Sequence, residues 1–134
     1  MPEEIPSSLV YQRLRNQVID HLELLSSREK QLEYQREVPI AHVSAELFEQ
    51  WSDILNPKAS KEQFPQGLYS AAERSEVHKF NQVFLEVSST TSSQLPTIAE
   101  FVETEEWKKL QKAASKALRV FQVRGFLSEE ELEW

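Results

Sequence analysis

The sequence contains no cysteine, which excludes disulfides, thiolate chemistry and cysteine-ligated metal sites. Glycine occurs only at Gly67 and Gly125, too few to write a dinucleotide fingerprint or a phosphate-cradling loop. No apolar run approaches the roughly 18 residues that a membrane span requires. Cations are in the minority, with 15 Lys and Arg against 22 Asp and Glu, for a net charge of −7 at pH 7. Binding to nucleic acid rests on cations that meet phosphate, so this balance argues against that partner. An acidic chain is better placed to attract a basic protein. The amino terminus, Met1-Pro2-Glu3-Glu4-Ile5-Pro6, lacks the basic and apolar regions of a secretory signal, so a cytoplasmic protein is expected.

What is present is helical patterning. Trp107, Leu110, Ala114, Ala117 and Phe121 recur at spacings of three, four, three and four, which places them on one helical face. Ala113, Leu118 and Val120 broaden that stripe. Thr104 suits the N-cap, Glu105 and Glu106 complement the helix dipole, and Gly125 suits the closing position. Lys108, Lys109, Lys112, Lys116 and Arg119 take the wet side. A helix over 104–124 is therefore expected at the centre of the fold, burying Trp107, Leu110, Ala114, Leu118 and Phe121.

Upstream, Ser7 or Ser8 can cap a long helix to about Arg36 with Tyr11, Leu14, Val18, Leu22, Leu25 and Leu32 on its apolar face. Ser26-Ser27 interrupts it, as a kink or as a break into two pieces. Pro39 ends the run. Ser44 is the expected N-cap of the next helix, with Leu47, Phe48, Trp51, Ile54 and Leu55 inward and Asn56-Pro57 as the stop. Residues 57–69 read as irregular, anchored by Phe64, Leu68 and Tyr69. Ser70-Ala71-Ala72-Glu73 is a capping box ahead of Val77, Phe80, Phe84 and Val87. The tract Ser88 to Gln94 is rich in small hydroxyl residues and reads as a flexible surface loop. Thr97-Ile98-Ala99-Glu100 opens a short helix, and Ser128-Glu129-Glu130-Glu131 opens a last turn or two that ends at Trp134. No stretch alternates as a strand. The expected fold is all-α: a single-domain helical bundle of about five to seven helices spanning 1–134.

Candidate chemistry is sparse. His21, His42 and His78 form no HExxH pattern, and His21 reads as a satisfied histidine at the edge of the core. No serine sits in a GxSxG elbow. The expectation is no enzyme, no cofactor and no metal. Acids are the remaining signal. Glu100, Glu103, Glu105 and Glu106 lie within seven residues with no cation between them, Glu46, Glu49 and Asp53 run along one helix, and Glu129, Glu130, Glu131 and Glu133 gather near the carboxyl end. Acids at helix starts improve the dipole and acids on outer faces aid solubility, so many need no further role. With the net charge, they still point to an acidic docking face.

Val38-Pro39 followed by Ala45-Glu46-Leu47-Phe48-Glu49-Gln50-Trp51-Ser52-Asp53, then Leu95-Pro96, Glu105-Glu106-Trp107-Lys108-Lys109-Leu110 and Ala114 to Leu118, resembles the motif order of small bacterial immunity-type proteins. Such proteins are encoded beside polymorphic toxins, including those of contact-dependent growth inhibition. The resemblance spans roughly residues 35 to 125. It implies a non-enzymatic, cytoplasmic inhibitor that binds one cognate toxin domain, often a nuclease, and blocks its active site. Within and beside the matching motifs, Glu46, Glu49, Asp53, Glu100, Glu103, Glu105 and Glu106 are the candidate partner-binding residues. The competing expectation is a helical adaptor or regulator that binds another protein or a peptide through an apolar groove.

Overall fold

The serine pair at 26–27 divides the first helical stretch in two. Helix α1 spans Ser7–Ser26 and α2 spans Arg28–Glu37, with Ser27 between them as the N-cap that accepts from Lys30 N–H. The break strands the carbonyls at the end of α1, which a helix cannot satisfy by itself. Buried Gln31 donates to Leu24 O and Leu25 O at 3.0 and 3.2 Å, and Gln111 donates to Ser26 O at 3.0 Å. The same Gln31 accepts from the Trp107 indole at 2.8 Å, tying the break to the central helix.

This computed structural model describes residues 7–55, 64, 67–90 and 95–133. Among them the chain continues through α3 (Val43–Ile54), α4 (Ala71–Thr90), α5 (Ile98–Phe101) and α6 (Glu105–Gln122). No strand forms among the described residues, and the chain is a single all-α domain as its periodicity predicts. No helix among them is long and apolar enough to cross a membrane. Helix α6 packs along α1 on one side and α4 on the other, while α3 lies on α1 and meets α2 and α5.

Thr104 caps α6 by accepting from Trp107 N–H at 3.1 Å, and Gly125 closes its far end at φ 72°. A side chain on Gly125 would meet nothing within 4 Å, so its backbone conformation, not crowding, is what requires glycine there. Trp107, Leu110, Ala114, Ala117 and Phe121 are buried. Leu118 is not enclosed as expected: one residue on from Ala117, it is rotated to the flank of the stripe and is half-buried against the core. Trp51 fills the centre on the other side. Its ring meets Phe80 edge-on at 4.7 Å between centroids, and its indole N–H donates to Asn81 at 2.8 Å.

Four further expectations need correction. Tyr11 and Leu14 do not lie in the core; the buried face of α1 is turned so that Gln12, Arg15 and Asn16 point inward, where polar partners await them. Ser44 is not the cap of α3. His42 takes that position without a side-chain cap bond, and the buried Ser44 hydroxyl donates to Pro96 O. Ser88 to Thr90 are not loop but the last turn of α4. Ser89 and Thr90 hydroxyls bond back to Glu86 O, and buried Val87 anchors the turn. The rest of that tract, 91–94, lies outside the described residues, as do 56–63, 65–66 and Trp134. Finally, no helix follows Ser128. Its hydroxyl does accept from Glu130 and Glu131 N–H, yet its carbonyl, which a helical turn would need, is taken by Gln12 at 2.6 Å.

Candidate functional site

Helix α2 ends at Glu37 because the residue before Pro39 is driven out of helical geometry. The chain then reverses through Val38–Ala41, closed by Ala41 N–H to Val38 O at 3.0 Å, with Pro39 supplying the backbone angle that a turn needs at its second position. One side chain braces the reversal from within: the Gln35 amide donates to Ala41 O at 2.7 Å and, less closely, to Val38 O at 3.3 Å. At the tip of this braced turn Ile40 is 98% exposed.

The turn leads into α3, whose inner face (Val43, Leu47, Trp51) is buried and whose outer face carries Glu49 and Asp53. Helix α5 packs beside it through Phe48 and Phe101, 6.0 Å between ring centroids, and through the Ser44–Pro96 hydrogen bond. From Val38 to Leu55 and from Leu95 to Glu106 the chain contains no lysine or arginine. Two segments that carry all seven candidate acids are thereby packed side by side. Between the turn and α5 lies an open cleft of about 400 Å³, lined by Gln35, Pro39, Ile40, His42, Thr97 and Ala99 among others.

The seven acids are not equivalent. Glu49 and Asp53 are exposed and have no hydrogen bond or ion pair among the described residues, and half-buried Glu106 has none either. Glu100 accepts from the Thr97 hydroxyl at 3.0 Å. Glu103 pairs with Arg28 and Glu105 with Lys108, both through exposed side chains where solvent screens the attraction. Glu46 is half-buried and accepts from the Tyr34 hydroxyl, a bond between α3 and α2. That bond to a carboxylate is the main reason the Tyr34 phenol is held above its ordinary value, with burial adding to it. Glu46 therefore belongs to the scaffold of the face more than to its surface.

A second polar concentration, which sequence reading missed, lies in the interior. The Ser70–Glu73 capping box forms in both directions at 3.1 Å. Its Glu73 is only 1% exposed and also accepts from Arg15 at 2.8 Å and from Arg124. Burial pushes the Glu73 carboxyl up, but the hydrogen bonds from Arg124, Arg15 and Ser70 N–H outweigh it and hold the carboxyl below its ordinary value. Arg15 in turn lies 5.2 Å from the Phe121 ring centroid and donates to Gly125 O at 2.6 Å. With its oxygens committed to these donors, Glu73 locks α1, α4 and the end of α6 together. Nothing in the sequence distinguished this glutamate from an ordinary capping residue.

The three histidines do not meet. His42 lines the cleft, exposed His78 lies 3.4 Å from Gln82 on its own helix, and His21 is buried between α1 and α3. His21 Nε2 lies 3.0 Å from Leu47 O; since a carbonyl only accepts, Nε2 carries the proton. The ring stacks on Trp51, as a histidine satisfied by the core does. Comparison of the chain with protein-family models, with curated proteins and with solved structures finds no match in any of the three.

Proposed function

We propose that this chain is a non-enzymatic inhibitor of the immunity type, which binds and neutralises a basic toxin domain, a nuclease by preference, through the face built from the Val38–Ala41 turn, α3 and α5. The observation that carries the reading is the juxtaposition of two cation-free acidic segments on neighbouring elements. A nuclease must present cations to its phosphate substrate, and an acidic inhibitor can meet those cations and gain association rate from steering. Glu49, Asp53, Glu100 and Glu106 supply the charge. Ile40 supplies what charge alone lacks, a fixed apolar point that loses little entropy when it is buried, because its turn is already braced. The resemblance of the motif order to that of immunity-type proteins points in the same direction.

Growth tests this directly. Cells that express the toxin domain encoded beside this gene should survive only when this protein is co-expressed. Death despite soluble co-expression would overturn the proposal. A second reading, a helical adaptor that takes an apolar peptide, is favoured by the cleft beside Ile40. The two separate on charge: an adaptor that uses the cleft would bind its partner equally well after reversal of Glu49 and Asp53.

A further inference from the structure

Beyond α6 the chain runs back across α1. Residues 126–133 form no helix, and α1 holds them mainly by their backbone. Asn16 grips Leu127 on both sides, donating to its carbonyl at 2.7 Å and accepting from its N–H at 2.9 Å. Gln12 donates to Ser128 O and Glu131 O, each at 2.6 Å, and accepts from Glu133 N–H at 2.8 Å. Arg13 donates to Glu129 O at 2.7 Å. Under this strap Gln12 and Asn16 are buried, at 0% and 3% exposure, although both are polar.

The apolar content of the contact is small. Phe126 and Leu132 are 54% and 53% exposed, and only Leu127 packs partly against the core. The segment immediately before is fixed quite differently. Gly125 O accepts from buried Arg15, and Arg124 is bound by Glu73 and by Leu68 O at 2.6 Å. A firm anchor thus adjoins a strap whose bonds water can replace one for one when it lifts, since Gln12 and Asn16 then face solvent instead of an empty interior.

We propose that residues 126–133 are a releasable strap, which undocks from α1 as one unit, hinged just after Gly125, while the six helices stay folded. Opening uncovers the amides of Gln12 and Asn16, a row placed to hold backbone carbonyls and N–H groups. It also frees Glu129, Glu130, Glu131 and Glu133 as an acidic arm. Closed, the strap covers the row, while its acidic side chains already face solvent.

Native-state hydrogen exchange on the full chain tests this. Local and global opening differ in how much surface they expose, and so in how steeply exchange responds to urea. The Leu127 and Glu133 amides should exchange with almost no urea dependence at low urea, while Ala114 and Ala117 amides in α6 show the steep slope of global unfolding. If Leu127 and Glu133 follow the α6 slope throughout, the strap opens only with the whole protein and the proposal falls. Unity is tested by Asn16→Ala. It should speed exchange at Glu133 as well as at Leu127, by on the order of tenfold, although the Gln12 bond to Glu133 is untouched. Acceleration confined to Leu127 would mean piecemeal fraying and would overturn the hinge.

Discussion

Glu73 shows how one residue can serve two levels of structure. As a capping-box glutamate it satisfies the Ser70 N–H at the start of α4, and as a buried anion it takes Arg15 and Arg124. Removing one member of a buried pair leaves the other charged and unsolvated, which is costlier than the pair was favourable. Glu73→Leu should therefore destabilise the fold by roughly 3–5 kcal/mol, measured by urea denaturation at neutral pH. A loss below about 1 kcal/mol would mean that water reaches Arg15, the one of the two arginines that is fully buried. His21 predicts a separate pH effect. Burial holds its imidazole below the ordinary value of 6.5, against a smaller upward pull from the hydrogen bond to Leu47. As pH falls through 6.5 the unfolded chain takes up the proton while the folded chain resists it. Stability from neutral His21 is thus full above that value and drains as the pH drops toward the lower folded value. The urea midpoint should decline as the pH falls below about 6.5, in a window above that of Glu73, whose depressed carboxyl protects the fold until the pH falls below about 4.5. His21→Gln keeps a donor for Leu47 O and cannot titrate, so it should flatten the decline.

At the scale of the element, what could be read in the sequence was whatever is decided within a few residues. The start of α6 at Thr104, its stop at Gly125, the capping box at Ser70, the start of α5 at Thr97, and the division at Ser26-Ser27 all depend on local bonds, and all are found in place. The rotation of α1 was not legible, because Gln12, Arg15 and Asn16 are inward only by virtue of partners more than fifty residues away. For the same reason Ser128 looked like a cap until Gln12 claimed its carbonyl. The two acidic segments were visible one by one, but their adjacency rests on Phe48 meeting Phe101, which no spacing rule announces. Helix α6 remains the test of the core that the sequence implied. Phe121 is fully buried, with Tyr69 6.1 Å from it edge-on and Arg15 over its face. Phe121→Ala should cost roughly 3–5 kcal/mol through lost transfer energy and an unfilled cavity. The same change at exposed Val123, just past the helix end, should cost almost nothing, and similar losses at both would mean that the stripe does not define the core.

For the whole molecule, charge is unevenly placed among the described residues. Lys108, Lys109, Lys112, Lys116 and Arg119 line the outer side of α6, which is packed on α1 and α4, while α3 and α5 carry acids alone. A net charge of −7 spread evenly would favour solubility and nothing more; gathered on one face it would also orient an approaching cation-rich partner. The choice of residues decides whether an experiment can see this. Reversing Glu46 would break its bond to Tyr34 and loosen α2 from α3, so lost binding there would be ambiguous. Among the described residues Glu49 and Asp53 hold nothing else in place, and the double variant Glu49→Lys, Asp53→Lys should fold with an unchanged urea midpoint. Its association with the toxin domain should slow by roughly tenfold or more at low ionic strength. The difference should shrink as salt is raised and the Debye length falls from about 30 Å at 0.01 M to about 8 Å at 0.15 M. Ile40→Ser, which removes the apolar point without adding charge, should act in the complementary way, leaving the salt dependence of association intact and raising the dissociation rate. Equal loss from both variants on the dissociation rate alone would rule out steering. Unaltered binding by the charge-reversed pair, with protection of growth retained, would keep the inhibitor and remove the acidic face from its mechanism.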